Sequence, residues 1–193
     1  MRSCIRNCFL ILPLLLAGTG LALGAQTSPA SQGHFGFTMY TGASFGGDEI
    51  AKLYFTDGST QSVNAGQGLE FGVGCHYKLP ALPVDLSATV GYKSVTTAAK
   101  NADIHLDRTV LELRADYLIN RTWWIGAGPV WHKSINFDAG GLAPNIGFQD
   151  ASGATVKVGW RWFALSYVNM KYTDEFGGKY DASNLGLSVI GKW

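Results

Sequence analysis

The chain is predicted to be all-β, an eight-stranded antiparallel up-and-down transmembrane β-barrel, on three observations. Segments of roughly ten residues alternate apolar with polar side chains, and a strand sends successive side chains to opposite faces. The connections alternate between short and long, as when one end of a barrel is trimmed and the other elaborated. Aromatic residues gather toward the segment ends and leave Leu, Val, Ala and Ile in the middle, as where rings sit at two lipid headgroup levels.

The first segment, Phe35 to Phe45, opposes Phe35, Phe37 and Met39 to Gly36, Thr38 and Tyr40. The second, Gly68 to Lys78, sets Leu69, Phe71, Val73, Cys75 and Tyr77 against Glu70, Gly72, Gly74, His76 and Lys78. In the third, Val84 to Lys93, Leu86, Ala88, Val90 and Tyr92 oppose Asp85, Ser87, Thr89, Gly91 and Lys93. The fourth, Arg108 to Ile119, is the clearest: Leu111, Leu113, Ala115 and Tyr117 alternate with Glu112, Arg114 and Asp116. The fifth runs from Thr122 to His132, where Pro129 removes a ladder donor. The sixth, Gly153 to Trp160, opposes Ala154, Val156 and Val158 to Thr155 and Lys157. The seventh, Phe163 to Tyr172, puts Leu165 and Tyr167 on one face but Val168 and Met170 on the other, so a bulge or phase shift is expected. The eighth restores the pattern, with Leu185, Leu187, Val189 and Trp193 against Gly186, Ser188 and Lys192.

The long connections are expected at 46–67, 94–107, 133–152 and 173–182, and the first should hold a small hairpin turning at Asp57 and Gly58. Together they carry Asp48, Glu49, Asp57, Asp103, Asp107, Asp138, Asp150, Asp174, Glu175 and Asp181 against Lys52, Lys100, Arg108, Lys133 and Lys179. An acidic outer end of this kind suits solvated loops, divalent-ion bridging to lipopolysaccharide or contact with a host protein.

Arg2 and Arg6 precede an apolar run from Phe9 to Leu16 and then small residues, the pattern of a secretory signal peptide. Residues 1–24 are therefore assigned to export, 25–33 to a short N-terminal segment and 34–193 to the barrel domain. Without Arg2 and Arg6 the 15 basic residues fall to 13 against 14 acidic ones, which offers nucleic acid no general attraction. Cys4 and Cys8 leave with the signal, so Cys75 has no intramolecular disulfide partner. No later apolar stretch is long enough for a membrane helix, so any span must be made of strands.

A soluble sandwich also alternates, but it has no reason to sort its aromatics by height. Phe35, Phe37, Tyr77, Tyr117, Trp123, Trp160, Trp162, Phe163 and Trp193 lie toward the short-turn end, and Phe45, Tyr92, Trp131, Phe148, Tyr172 and Tyr180 toward the long-loop end. With the oily face on lipid, the polar face encloses Glu70, His76, Asp85, Glu112 and Asp116 with Lys78, Lys93, Arg114, Lys157 and Lys192. An unpaired charge there is costly, so Glu112 and Arg114 are expected to find cross-strand partners, Lys157 being the candidate for Glu112. The polar network is thus assigned to Glu70, His76, Lys93, Glu112, Arg114, Asp116 and Lys157.

With these features the chain resembles the small eight-stranded outer-membrane barrels of Gram-negative bacteria, the group of the OmpA transmembrane domain, the OmpX and Ail adhesion proteins and the opacity-type proteins. Its terminal strand, Leu185, Leu187, Val189 and Trp193, is similar to the assembly signal that those proteins present to the barrel-assembly machinery, although most end in Phe. The resemblance implies outer-membrane location, lipid and lipopolysaccharide neighbours and a monomer. It does not transfer a particular role, since function in this group lies in the loops.

The favoured expectation is a non-enzymatic barrel, porin-like in architecture, with an envelope-structural and adhesin-like role. A lipid A-modifying hydrolase and a narrow OmpW-like conduit for small hydrophobic solutes are the alternatives. His132, near Ser134, has no carboxylate supplied by local sequence and reads as an interfacial hydrogen-bonding histidine rather than a catalytic one. Asp103, His105 and Asp107 share a face if extended, but a solvated loop face explains them without a metal. Gly126 and Gly128 are no dinucleotide fingerprint, since a strand continues past them, and they read as relief of crowding. No catalytic residue, cofactor or metal site is assigned.

Overall fold

The computed structural model describes residues 33–54, 60–99, 102–141 and 145–193. The export segment, Asp57, Gly58 and Lys100 lie outside the described residues. The strands in chain order are β1 (His34–Phe45), β2 (Glu49–Tyr54), β3 (Thr60–Asn64), β4 (Gly68–Lys78), β5 (Val84–Ala99), β6 (Ala102–Leu118), β7 (Trp123–Asp138), β8 (Ile146–Gly147), β9 (Ala151–Trp160), β10 (Phe163–Thr173), β11 (Lys179–Asp181) and β12 (Asn184–Lys192).

Eight of them, β1, β4, β5, β6, β7, β9, β10 and β12, pair antiparallel with their neighbours in sequence order. The ring closes where β12 pairs β1 from Thr38↔Lys192 to Phe45↔Leu185, so the barrel leaves no open sheet edge. The remaining strands decorate one end: β2 and β3 form a hairpin of their own, β8 adds to β7, and β11 adds to β10.

At the other end the turns are tight. Asn120 explains one of them, because its Oδ1 accepts hydrogen bonds from the Thr122 and Trp123 N–H groups and the Thr122 hydroxyl, each at 2.8 Å. Arg161, at φ 53°, turns the chain between β9 and β10 and donates its N–H to the Thr122 carbonyl at 2.7 Å.

Two expected connections are not loops. β5 continues to Ala99 and β6 begins at Ala102, so most of 94–107 is a rising hairpin, and β7 likewise continues to Asp138. A reading that looked only for outward apolar residues lost these stretches because the two faces exchange character along each strand. On β6 the inward series runs Asp116, Arg114, Glu112, then Val110, Leu106 and Ile104, all buried, with Arg108 between them. The outward series runs Tyr117, Ala115, Leu113, Leu111, then Thr109, Asp107 and His105. β6 is therefore inside-out near the short turns and conventionally packed near the long loops.

β10 follows the same rule, which corrects the expected bulge or phase shift. Its ladders to β9 and β12 are unbroken, and its inward residues change from Ala164 and Ser166 to Val168, Met170 and Tyr172 while Leu165 and Tyr167 give way outside to Asn169 and Lys171. An irregularity falls on β7 instead. Lys133 and Ser134 both face outward, Ser134 has φ 51°, and the register to β6 shifts between Asp107 and Thr109. Pro129 interrupts the β6–β7 ladder on its own account: pairing resumes only beyond it, at Ala115↔Ala127 after Glu112↔Val130.

The apolar core consequently sits at the elaborated end. Val95, Ile104, Leu106, Val110, Val130, Ile135, Phe137, Val168, Met170 and Tyr172 are buried together with Val63 from β3 and Phe148. Below it the outward wall is apolar around the ring, with Met39, Val73, Val90, Leu113, Ile125, Val158, Leu165 and Leu187 all exposed.

Candidate functional site

The lumen on the short-turn side holds a continuous chain of charges. His76 Nδ1 lies 3.1 Å from Asp85 on β5. Lys192 on β12 donates to Asp85 at 2.8 Å and to Asp116 at 2.9 Å. Arg114 grips Asp116 through Nε and Nη2 and Glu112 through Nη1, and Lys157 on β9 reaches Glu112 Oε2 at 2.9 Å. The three carboxylates Asp85, Asp116 and Glu112 thus meet the three cations Lys192, Arg114 and Lys157. Buried charge is tolerable only when paired and hydrogen-bonded in this way.

Local sequence makes the chain of charges possible. Period two on β6 aligns Glu112, Arg114 and Asp116 on one face, so Arg114 finds a carboxylate on either side of it along its own strand. Glycine on β7 clears the path: a Cβ at Gly126 would stand 1.9 Å from Asp116 Oδ1, so Gly126 does relieve crowding. Above the network Trp124 packs its ring under Arg114 and Lys192, at 5.1 and 5.6 Å, and Lys157 lies 5.7 Å over the Tyr40 ring. Tyr40 lies across Gly72 and Gly91, where a Cβ would meet its ring at 2.5 Å and its hydroxyl at 2.2 Å.

Higher in the lumen Glu70, Lys93 and Arg108 form a row across β4, β5 and β6, each directly opposite the next. Lys93 and Arg108 are 2 % and 1 % exposed. The guanidinium of Arg108 donates to the carbonyls of Gln67 and Leu106, and beside it His132 Nδ1 is hydrogen-bonded to the Tyr172 hydroxyl. Over this row lies the apolar core already described, which closes the long-loop end.

Of the network residues expected from sequence, His76, Glu112, Arg114, Asp116 and Lys157 join the ion chain, while Glu70 and Lys93 lie in the row above it. The expectation that Glu112 and Arg114 find partners beyond each other describes the geometry, through Lys157 and Asp116. Lys78, counted among the enclosed charges, is exposed at the short-turn mouth. Arg108, assigned to an outer loop, is instead buried in the lumen. Continuing the period of Glu112 backward by two and four residues places it there.

The aromatic sorting also needs one correction. The short-turn aromatics, Phe35, Phe37, Tyr77, Tyr117, Trp123, Trp160, Trp162, Phe163 and Trp193, are all exposed, and so are Phe45 and Tyr92 at the other level. Phe148 and Tyr172 are buried instead, their rings 5.8 Å apart, because they belong to the region where apolar side chains point inward. Leu185, Leu187, Val189 and Trp193 face outward and exposed, and the backbone of Trp193 pairs with Phe37 at 2.9 and 3.0 Å.

At the elaborated end short polar contacts tie the segments together. Asp48 accepts the Asp181 N–H at 2.7 Å, which links the first long connection to the last. Lys133 donates to Asp150 at 2.6 Å and holds that carboxylate below its ordinary range, as the Ser183 hydroxyl and N–H do for Asp181. His132 points inward and Ser134 outward, so the two do not converge on one site. His105 and Asp107 lie on the outward face of β6, and among the described residues no group of three His, Cys, Asp or Glu could hold a metal. The side chain of Asp103 lies outside the described residues.

Comparison of the chain with protein-family models finds no match. No curated protein sequence matches it either.

Proposed function

We propose that the protein is an outer-membrane barrel of a Gram-negative bacterium, a non-enzymatic monomer that contributes to envelope structure and offers its elaborated end as an adhesin-like interaction platform. The observation that carries this reading is the exchange of face polarity partway along the strands. From Leu111 to Ile119 the outward residues of β6 are apolar or small, about the length a tilted strand needs to cross a bilayer, whereas Thr109, Asp107 and His105 beyond them are polar. A soluble barrel has no cause to be inside-out over one half only, because water surrounds all of it.

The occupied interior supports a structural role over transport. Ion pairs fill the lumen toward the short turns and apolar side chains fill it toward the long loops, as expected where eight strands leave room only for side chains. Export by the signal segment, insertion by the assembly machinery through the terminal strand, and lipid and lipopolysaccharide as neighbours complete the reading. The part left to meet another surface is the end built from β2, β3, β8 and β11.

The test replaces the β2–β3 hairpin by a short turn and compares attachment of cells displaying equal amounts of either barrel. Attachment should fall severalfold while the compact gel mobility of the unboiled barrel is retained. Equal attachment by both forms would contradict the platform role.

A further inference from the structure

We propose that Lys93 and Arg108 hold one small monovalent anion of the halide class inside the barrel. The charge pattern motivates it. Toward the short turns the three lumenal carboxylates and three lumenal cations pair off. In the row above, Glu70 stands against two cations, Lys93 and Arg108, which occupy directly opposed positions on adjacent strands. Like charges so placed repel, and a low-dielectric surrounding strengthens the repulsion.

Neither cation is relieved by the protein. Among the described residues no carboxylate oxygen lies within 4.0 Å of either one, and Lys93 makes no hydrogen bond. Arg108 spends its terminal nitrogens on the two backbone carbonyls of Gln67 and Leu106, and its Nε is buried without a partner. The Glu70 carboxylate faces the Tyr40 hydroxyl. One positive charge is therefore left over in a lumen where an isolated ion is very costly.

There is a place for its partner. Lys93 lines an internal cavity of about 30 Å³ together with Tyr40, Ser44, Glu70, His132 and Asn184. Since a single water needs roughly 10–15 Å³ measured in this way, the space admits a bare halide but not a phosphate or a carboxylate ligand. The room is made by Gly68, at which a Cβ would lie 3.0 Å from Lys93 Cγ. Tyr40, Ser44 and Asn184 carry groups able to donate a further hydrogen bond to an anion.

The test uses the full mature chain folded in detergent. Crystals grown in bromide should show an anomalous peak in the lumen within hydrogen-bond reach of Lys93 Nζ. In solution the unfolding midpoint should rise saturably with chloride or bromide relative to sodium gluconate at equal ionic strength, because gluconate is too large to enter. At halide about a hundredfold above its dissociation constant the rise should be roughly 5–10 °C. Lys93→Met, which removes one of the two repelling charges, should fold and lose the halide response. A lumen without a bromide peak would overturn the proposal and leave water beside a neutral Lys93; a response that Lys93→Met retains would overturn it equally.

Discussion

Arg114 is the residue on which the ion chain turns, since it alone touches two buried carboxylates and forms its contacts within its own strand. Arg114→Leu would leave Glu112 with Lys157 and Asp116 with Lys192, both acids short of a partner. The loss should be about 3–5 kcal/mol, read from urea unfolding of the barrel in lipid vesicles. The Lys133–Asp150 pair at the outer rim is half-exposed and should contribute little. Its pH dependence has a definite sign: Asp150 is held low, so the bridge is present through the ordinary carboxylate range and is lost only as pH falls through the depressed value. A carbon-13 titration of the Asp150 carboxyl should therefore lie to the acid side of the Asp138 titration, and coincident curves would deny the bridge. Residue pairings were readable in the sequence where a strand kept one polar face, as for Glu112 and Lys157. Arg108 was not, because its apolar neighbours Leu106 and Val110 share its face and hid the period.

Element boundaries obey the same logic. β4 is recovered residue for residue from alternation, since all of it lies in the inside-out part of the barrel. β5, β6 and β7 overrun their expected ends because the alternation persists while its meaning reverses, and a pattern of apolar-in, polar-out reads as a loop to a search for apolar-out. β10 contains both regimes in one strand, and the apparent slip at Val168 is the crossing point between them. The irregularity at Ser134 carried no comparable signal, since positive φ at a serine follows from its neighbours rather than from its own side chain. If the long-loop end is a conventional core, Leu106→Ala should cost about 2–5 kcal/mol locally. Limited proteolysis should then cut the β5–β6 hairpin tip faster while the remainder of the barrel keeps its compact gel mobility. Protection equal to that of the parent protein would show that Leu106 contributes nothing there.

For the molecule as a whole the two regimes assign two solvents. The closed ring satisfies every strand edge, which hydrocarbon requires, and the charges are confined to the lumen where they can pair. The lumen is filled by ion pairs below and by an apolar core above, so the barrel is a scaffold for its decorated end rather than a conduit. Fold class and the sense of the inversion were legible in the sequence from β6 alone. The upper core was not, because it depends on residues from β3, β7 and β10 that meet only after closure. The most direct test places nitroxide labels one at a time along β6 from His105 to Tyr117, in a background where Cys75 is replaced, and measures accessibility to oxygen and to a polar nickel chelate in lipid vesicles. Labels at positions 111, 113, 115 and 117 should be open to oxygen and closed to nickel, those at 105 and 107 open to nickel, and those at 112, 114 and 116 closed to both. Nickel access at 111 and 113 equal to that at 105 and 107 would contradict a lipid-facing wall.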